Sequence, residues 1–336
     1  MTCQLQLLSN ISRPLLLIET RVTDSDFKPA WWLRSPHMQT LWPVFFKKRH
    51  QLDLTTEQVE LDDGDFVDLC WSKKSSDKVV LVLHGLEGEL SSHYANGVVH
   101  QLEQSGYKPV FMYFRGCSGR INRLARAYHS GETEDLSFIV EHIKNTTGQH
   151  PFAVVGYSLG GNVLLKWLGE TGKNNPVKKA VAVSVPFRLQ DAARRLEKGV
   201  SKIYREHLLR SLRKTYVEKF THITSPLDID VNQLKTFWDY DDKVTAPLHG
   251  FDGAQDYYDR CSSRQFLKHI CVPTRLIHAA DDPFMFDDTV PNNNELSPAI
   301  DFLLAESGGH VGFIAGSNPL NTYSWSERKI IEFLSI

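Results

Sequence analysis

No two cysteines in this chain stand in a C-x-x-C spacing, and the five present (Cys3, Cys70, Cys117, Cys261, Cys271) are scattered over 336 residues. An odd, dispersed set argues against a disulfide framework and suits a reducing compartment, so a cytoplasmic location is expected. Zinc-type patterns are missing as well. Fourteen histidines include no H-E-x-x-H and no tight His/Cys cluster, so neither a metal nor another cofactor is expected. Charge of one sign is also lacking: 38 Lys and Arg against 40 Asp and Glu leave a net charge of −2. Such a balance gives no field for holding a polyanion, and nucleic acid is not expected as a partner. Apolar runs such as Leu15–Ile18 and Val79–Leu83 fall far short of the roughly 18–20 residues that span a bilayer. Residues 1–30 carry Glu19, Asp24 and Asp26 and no apolar stretch of signal-peptide length, so no leader is expected. What remains is a 41% hydrophobic chain, enough for a sizeable core, of a length that suits one large domain or two. A soluble globular protein is the expectation.

Residues 1–50 read as an irregular arm with Pro14, Pro29, Pro36 and Pro43 and an aromatic group, Trp31, Trp32, Trp42, Phe45 and Phe46. Such an arm packs over the domain, walls a substrate pocket, or touches a membrane as a peripheral patch. Two alternating runs follow, Glu57–Leu61 and Phe66–Trp71, joined by Asp-Asp-Gly, which is a hairpin signal. From residue 79 the rhythm becomes strand, helix, strand. Apolar strands are predicted at Val79–Leu83, Pro109–Phe114, Phe152–Val155 and Ala180–Val185, with helices over about 93–104, 132–145 and 160–168 between them. That alternation means a mostly parallel sheet with right-handed crossovers. Residues 188–262 break it with helices and loops, basic over 194–214, and read as an inserted cap with a solvated or anion-steering face. Strands resume at Pro273–Ala279 and Ala299–Ala305, and a helix from about Ser324 to Leu334 ends the chain.

The strongest chemical feature is Gly156-Tyr157-Ser158-Leu159-Gly160-Gly161, a G-x-S-x-G after an apolar strand and before a helix. A turn that sharp needs small neighbours, and it lifts the serine hydroxyl clear of the backbone at the positive end of a helix. A hydroxyl is a poor nucleophile until a base takes its proton, so a histidine and an orienting acid should follow in the order Ser, Asp or Glu, His. Asp281 and Asp282 end the strand of Thr274–Ala279, and His310 follows Gly308-Gly309 in a loop. The acid next to Pro283 is favoured, which is Asp282; Asp281 then caps the turn. An oxyanion hole would draw one backbone N–H from Leu159 and one from Leu86, in the loop His84-Gly85-Leu86-Glu87-Gly88. His84 is read as a residue that shapes this loop, not as the base. Arg115–Gly119 lacks the G-x-x-x-x-G-K of a phosphate cradle and is read as a pocket-lining loop with Cys117 packed in it.

Several stretches together resemble the YheT-like α/β-hydrolases, a family of serine esterases: Trp31–Thr40, His84–Gly88, Arg115–Gly119, Tyr128–Thr133, Gly156–Asn162 and Asp281–Phe284. The resemblance implies an α/β-hydrolase fold, a triad of Ser158, Asp282 and His310, and hydrolysis of short acyl esters. Eukaryotic relatives act on phospholipids or make esters from acyl-CoA, often behind a membrane anchor that is not expected here. The expected protein is a single α/β-hydrolase domain over 51–336 with a cap at 188–262 and an arm at 1–50. It would cleave small carboxylic esters of short to medium acyl chain. Acyl transfer to an alcohol, or ligand binding without turnover, are the competing readings.

Overall fold

The computed structural model describes residues 22–336, so the sequence reading of residues 1–21, including Cys3, Pro14 and Leu15–Ile18, lies outside the described part. Nine strands form one sheet: β1 (Val22–Asp24), β2 (Leu54–Glu60), β3 (Phe66–Ser72), β4 (Val79–Leu83), β5 (Lys108–Met112), β6 (Ala153–Tyr157), β7 (Lys179–Val183), β8 (Thr274–Ala279) and β9 (Ile300–Ala305). Their spatial order is β1-β9-β8-β7-β6-β4-β5-β3-β2. β3 pairs antiparallel with both β2 and β5, and every other neighbouring pair is parallel. The continuous apolar runs sit in the middle because a strand covered on both faces has no side to give to water. Alternate residues of β4 serve opposite layers. Val79, Leu81 and Leu83 join one core cluster, Val80 and Val82 the other.

Helices cover both faces. Helix α1 (Pro36–Phe46) precedes the sheet's main run, followed by α2 (His93–Gln104), α3 (Glu134–Thr147) and α4 (Leu159–Thr171). α3 and α4 bury Leu136, Ile139, Ile143, Val163, Leu164 and Leu168 on one face. On the other, α2 buries Val98, Val99 and Leu102, and the C-terminal helix at Trp325–Ser335 adds Ile330 and Leu334. Acidic Glu134 and Asp135 fill the first turn of α3, where they complement the helix dipole.

Between β7 and β8 the chain runs through α5 (Leu189–Leu196), α6 (Ser201–Lys219), α7 (Phe237–Tyr240), a π-helical turn (Asp241–Thr245), α8 (Ala246–His249) and α9 (Ala254–Cys261), with no strand among them. Leu196, Tyr204, Leu209, Tyr216, Phe237 and Tyr240 form a separate apolar cluster there, against which Leu86 and Phe284 pack.

Residues 31–50 depart from the irregular arm that their prolines suggest. Pro36 occupies the first turn of α1, where its missing N–H costs nothing, and Pro43 sits inside the helix. The helix is held despite Pro43 because its inner side is bonded to the rest of the chain: Gln39 Nε2 donates to Leu33 O and Ile314 O, and Ile314 N–H donates to Gln39 Oε1. Two more elements lie beyond the sequence reading. They are the edge strand β1 and a hairpin of β10 (Ile314–Asn318) and β11 (Asn321–Ser324).

Candidate active site

Ser158 stands between β6 and α4 at φ 49° and ψ −117°, a conformation costly for any residue with a side chain. It is held there by its own N–H, which donates to Val183 O at 2.9 Å, and by close helix–strand packing. A Cβ on Gly160 would collide with the carbonyl oxygen of His84, so only glycine allows this approach. Strain of this kind aims Oγ away from the backbone into open space.

His310 Nε2 lies 3.0 Å from Ser158 Oγ, and His310 Nδ1 lies 2.8 Å from Asp282 Oδ2. A carboxylate can only accept, so Nδ1 carries the proton and Nε2 is left to accept from the serine hydroxyl. The other oxygen of Asp282 accepts from Phe284 N–H at 2.8 Å. Burial pushes the Asp282 carboxyl up, but the charge and hydrogen bond of His310 outweigh it and hold the carboxyl below its usual value. Its contribution to stability is therefore present above the unfolded-chain value and lost only as pH falls through the lower folded one. Asp281 points elsewhere: its Oδ1 accepts from Gly309 N–H at 2.9 Å and so ties down the histidine loop.

The loop is clamped from α1 as well. His310 N–H donates to Thr40 Oγ1 at 2.9 Å, and Thr40 Oγ1 donates to Pro36 O at 2.8 Å. Gly309 has φ 61°, and a Cβ there would collide with Pro36 O. The ring of Phe284 stacks on the imidazole, centroids 3.9 Å apart and planes within 2°. Thr40, Pro36 and Phe284 stand in the sequence within stretches that resemble the YheT-like hydrolases, with no role attached to them, whereas Gly309 reads there as a residue that lets the loop carry His310. Thr40→Val keeps the shape but leaves the His310 N–H buried and unbonded. It is expected to cost about 1–3 kcal/mol of stability and to lower kcat roughly tenfold with KM little changed, while Thr40→Ser keeps both. Thermal melting beside steady-state kinetics reads the two effects.

In the loop after β4, Gly85 N–H donates to the Tyr94 hydroxyl, Glu87 N–H to the Tyr128 hydroxyl and Gly88 N–H to Gly85 O. Among the described residues no acceptor holds the N–H of Leu86. Leu159 opens α4, where a helix leaves its first N–H groups unbonded. The loop abuts the serine, since a Cβ on Gly85 would lie 3.2 Å from Ser158 Cβ. His84 is fully buried; its Nε2 accepts from Phe114 N–H at 3.0 Å and its Nδ1 lies 2.6 Å from Gly85 O. Burial pushes its imidazole down to about 4, so it is a neutral brace for the loop.

Ser158, Leu159, Leu86, Phe284 and His310 line one cavity of about 1080 Å³, walled by the β4 loop, the Arg115–Gly119 loop, α1 and the 188–262 segment. Arg115 is tied to Asp135 at 2.7 and 2.6 Å, to Asp63 at 2.7 Å and to Asp65 at 3.1 Å, so it braces the wall. Burial pushes the Cys117 thiol up, which leaves it protonated and packed. Among the described residues no three His, Cys, Asp or Glu side chains are grouped to hold a metal ion, and no helix is long and apolar enough to cross a membrane.

Residues 78–317 match the alpha/beta hydrolase fold family. The chain is 41% identical over 320 residues to a protein of Escherichia coli K12 named "Putative esterase YheT", covering 93% of this chain and 94% of that one. It is 27% identical to the phospholipase ABHD3 of Bos taurus (89% and 75% covered) and 28% identical to the monoacylglycerol lipase ABHD2 of Mus musculus (97% and 83% covered). Among solved structures, an esterase of Pyrococcus furiosus superposes with a TM-score of 0.55 at 17% identity, over 94% of this chain and 97% of that one, a likeness of fold. The chain belongs to the α/β-hydrolase fold family, in which YheT is its relative over nearly the whole length of both.

Proposed function

We propose that this protein is a serine hydrolase of carboxylic esters, working through Ser158, His310 and Asp282. The observation that carries this reading is the unbroken line of hydrogen bonds, 2.8 Å from Asp282 to His310 and 3.0 Å from His310 to Ser158, facing the cavity. His310 Nε2 takes the hydroxyl proton as Ser158 Oγ attacks the ester carbonyl. The tetrahedral oxyanion is bound by the N–H groups of Leu86 and Leu159. Collapse breaks the bond to the alcohol oxygen, which receives the proton from His310 and leaves. Water, deprotonated by the same nitrogen, then cleaves the acyl-serine ester to free acid and enzyme. Asp282 keeps the imidazole in the one tautomer that can accept.

We read the 188–262 segment as a cap and the cavity beneath it as the acyl and alcohol site, for esters of short to medium acyl chain. Esterase, phospholipase and monoacylglycerol lipase relatives support an ester substrate. Four cysteines with free thiols, Cys70, Cys117, Cys261 and Cys271, support a cytoplasmic setting. Hydrolysis of p-nitrophenyl esters from acetate to palmitate tests the reading. We expect turnover that peaks at short to medium chains in the wild type and falls at least roughly 10³-fold in His310→Ala. A wild type inert on every ester, or a variant as active as it, would defeat the proposal.

A further inference from the structure

Helix α1 is built inside out. Its buried residues are Gln39, Thr40 and Pro43, while Met38, Leu41, Val44, Phe45 and Phe46 face water, the two phenylalanines with 73% and 69% of their surface exposed. An ordinary surface helix turns its apolar stripe to the core. Beside it, at the start of α6, Val200 and Ile203 are exposed by 51% and 67%, and Trp31 just before α1 by 65%. The two helices are joined by a hydrogen bond of 2.9 Å between His37 Nδ1 and the Tyr204 hydroxyl. Leu41, Val44, Phe45 and Ile203 also line the cavity, so this apolar surface is the rim of its mouth. Isolated exposed apolar residues are ordinary; a clustered rim on two tied helices marks a contact surface.

Charge decides which contact. Residues 31–50 contain Arg34, Lys47, Lys48 and Arg49 and no acid. Lys47 is paired with Glu327. Arg34, Lys48 and Lys202 are exposed, each lies within three residues of an exposed apolar side chain, and among the described residues none has a carboxylate within ion-pair distance. Apolar side chains edged by unpaired cations fit an anionic lipid surface, where the former enter the acyl boundary and the latter meet the headgroups.

We propose that the face made by α1 and the start of α6 docks on the surface of a bilayer containing anionic lipid, with Met38, Phe45 and Phe46 as anchors and Arg34, Lys48 and Lys202 at the headgroups. Docking stands on this surface alone. Its consequence, that the cavity mouth opens onto the lipid and admits ester from it, rests on the ester-hydrolase reading.

Sedimentation of the full chain with sucrose-loaded vesicles tests docking without any use of activity. Binding is expected to vesicles of phosphatidylcholine mixed with phosphatidylglycerol, weaker to phosphatidylcholine alone, and weaker again as salt rises. Met38→Ser with Phe46→Ser should weaken it at least about tenfold, and neutralising Arg34, Lys48 or Lys202 to Gln roughly fivefold each. None of these five residues lines the cavity, so hydrolysis of a water-soluble short ester stays at the wild-type rate and serves as the check of folding. Equal sedimentation with and without vesicles, or a double variant that binds like the wild type, overturns the proposal. So does a wild-type mass of two chains that the double variant reduces to one, because a second copy would then own the surface.

Discussion

Ser158→Ala is expected to lower kcat/KM on any accepted p-nitrophenyl ester by at least roughly 10³-fold, without unfolding the protein. The hydroxyl is the only group removed, and among the described residues its one hydrogen bond runs to His310 Nε2. Nothing structural hangs on it. The strained φ of 49° is held by Val183 O and by the packing of Gly160, and alanine meets the same restraints there as serine. The melting temperature should stay within a few degrees of the wild type. What survives is the rate that the oxyanion donors and the cavity supply by binding alone, which is why the loss is large but finite. Steady-state rates on purified wild type and variant, with melting curves alongside, read both parts. A variant retaining a tenth or more of the activity would remove the serine from the chemistry.

A second large effect separates two neighbouring acids. Asp282→Asn is expected to lower kcat roughly 10³- to 10⁴-fold with KM little moved. An amide nitrogen can stand where Asp282 Oδ2 now accepts from His310 Nδ1, and it donates. The imidazole then shifts its proton to Nε2, the atom that must accept from Ser158. Nor does an amide stabilise the imidazolium that forms during attack. Asp281→Asn is expected to cost about tenfold at most, because its side-chain oxygen can still accept from Gly309 N–H and keep the loop in place. Kinetics of the two variants side by side decide the assignment. The opposite ranking would make Asp281 the partner of His310 and contradict the geometry described above.

The parts of this molecule that could be read from the sequence are those whose reason is local. β4 is legible because five consecutive apolar residues bounded by polar ones suit a strand covered on both faces. The turn at Ser158 is legible because glycines sit where strand and helix nearly touch. The aspartates after β8 and the histidine after two glycines are legible because the fold puts loops at the carboxyl ends of its strands, and chain order then assigns them. The illegible parts depend on contacts far apart along the chain. α1 gave no helical signal because prolines punctuate it and its apolar stripe faces outward, so periodicity pointed to no core. Thr40 holds His310 from 270 positions away, and no local pattern announces such a bond. The strand expected at Pro109–Phe114 ends at Met112: Tyr113 N–H still donates to Asp68 O, but Phe114 N–H donates to the His84 ring instead of to a neighbouring strand. The β10–β11 hairpin is too short, and too interrupted by Gly316 and Pro319, to stand out as alternation.

Covalent trapping asks whether Ser158 is a nucleophile activated by His310. The protein is incubated with a fluorophosphonate, its intact mass is followed with time, and the labelled peptide is mapped. One adduct per chain is expected, on Ser158, formed at least about a hundredfold more slowly in His310→Ala and not at all in Ser158→Ala. An adduct on another residue, or none while the same preparation hydrolyses esters, would contradict it.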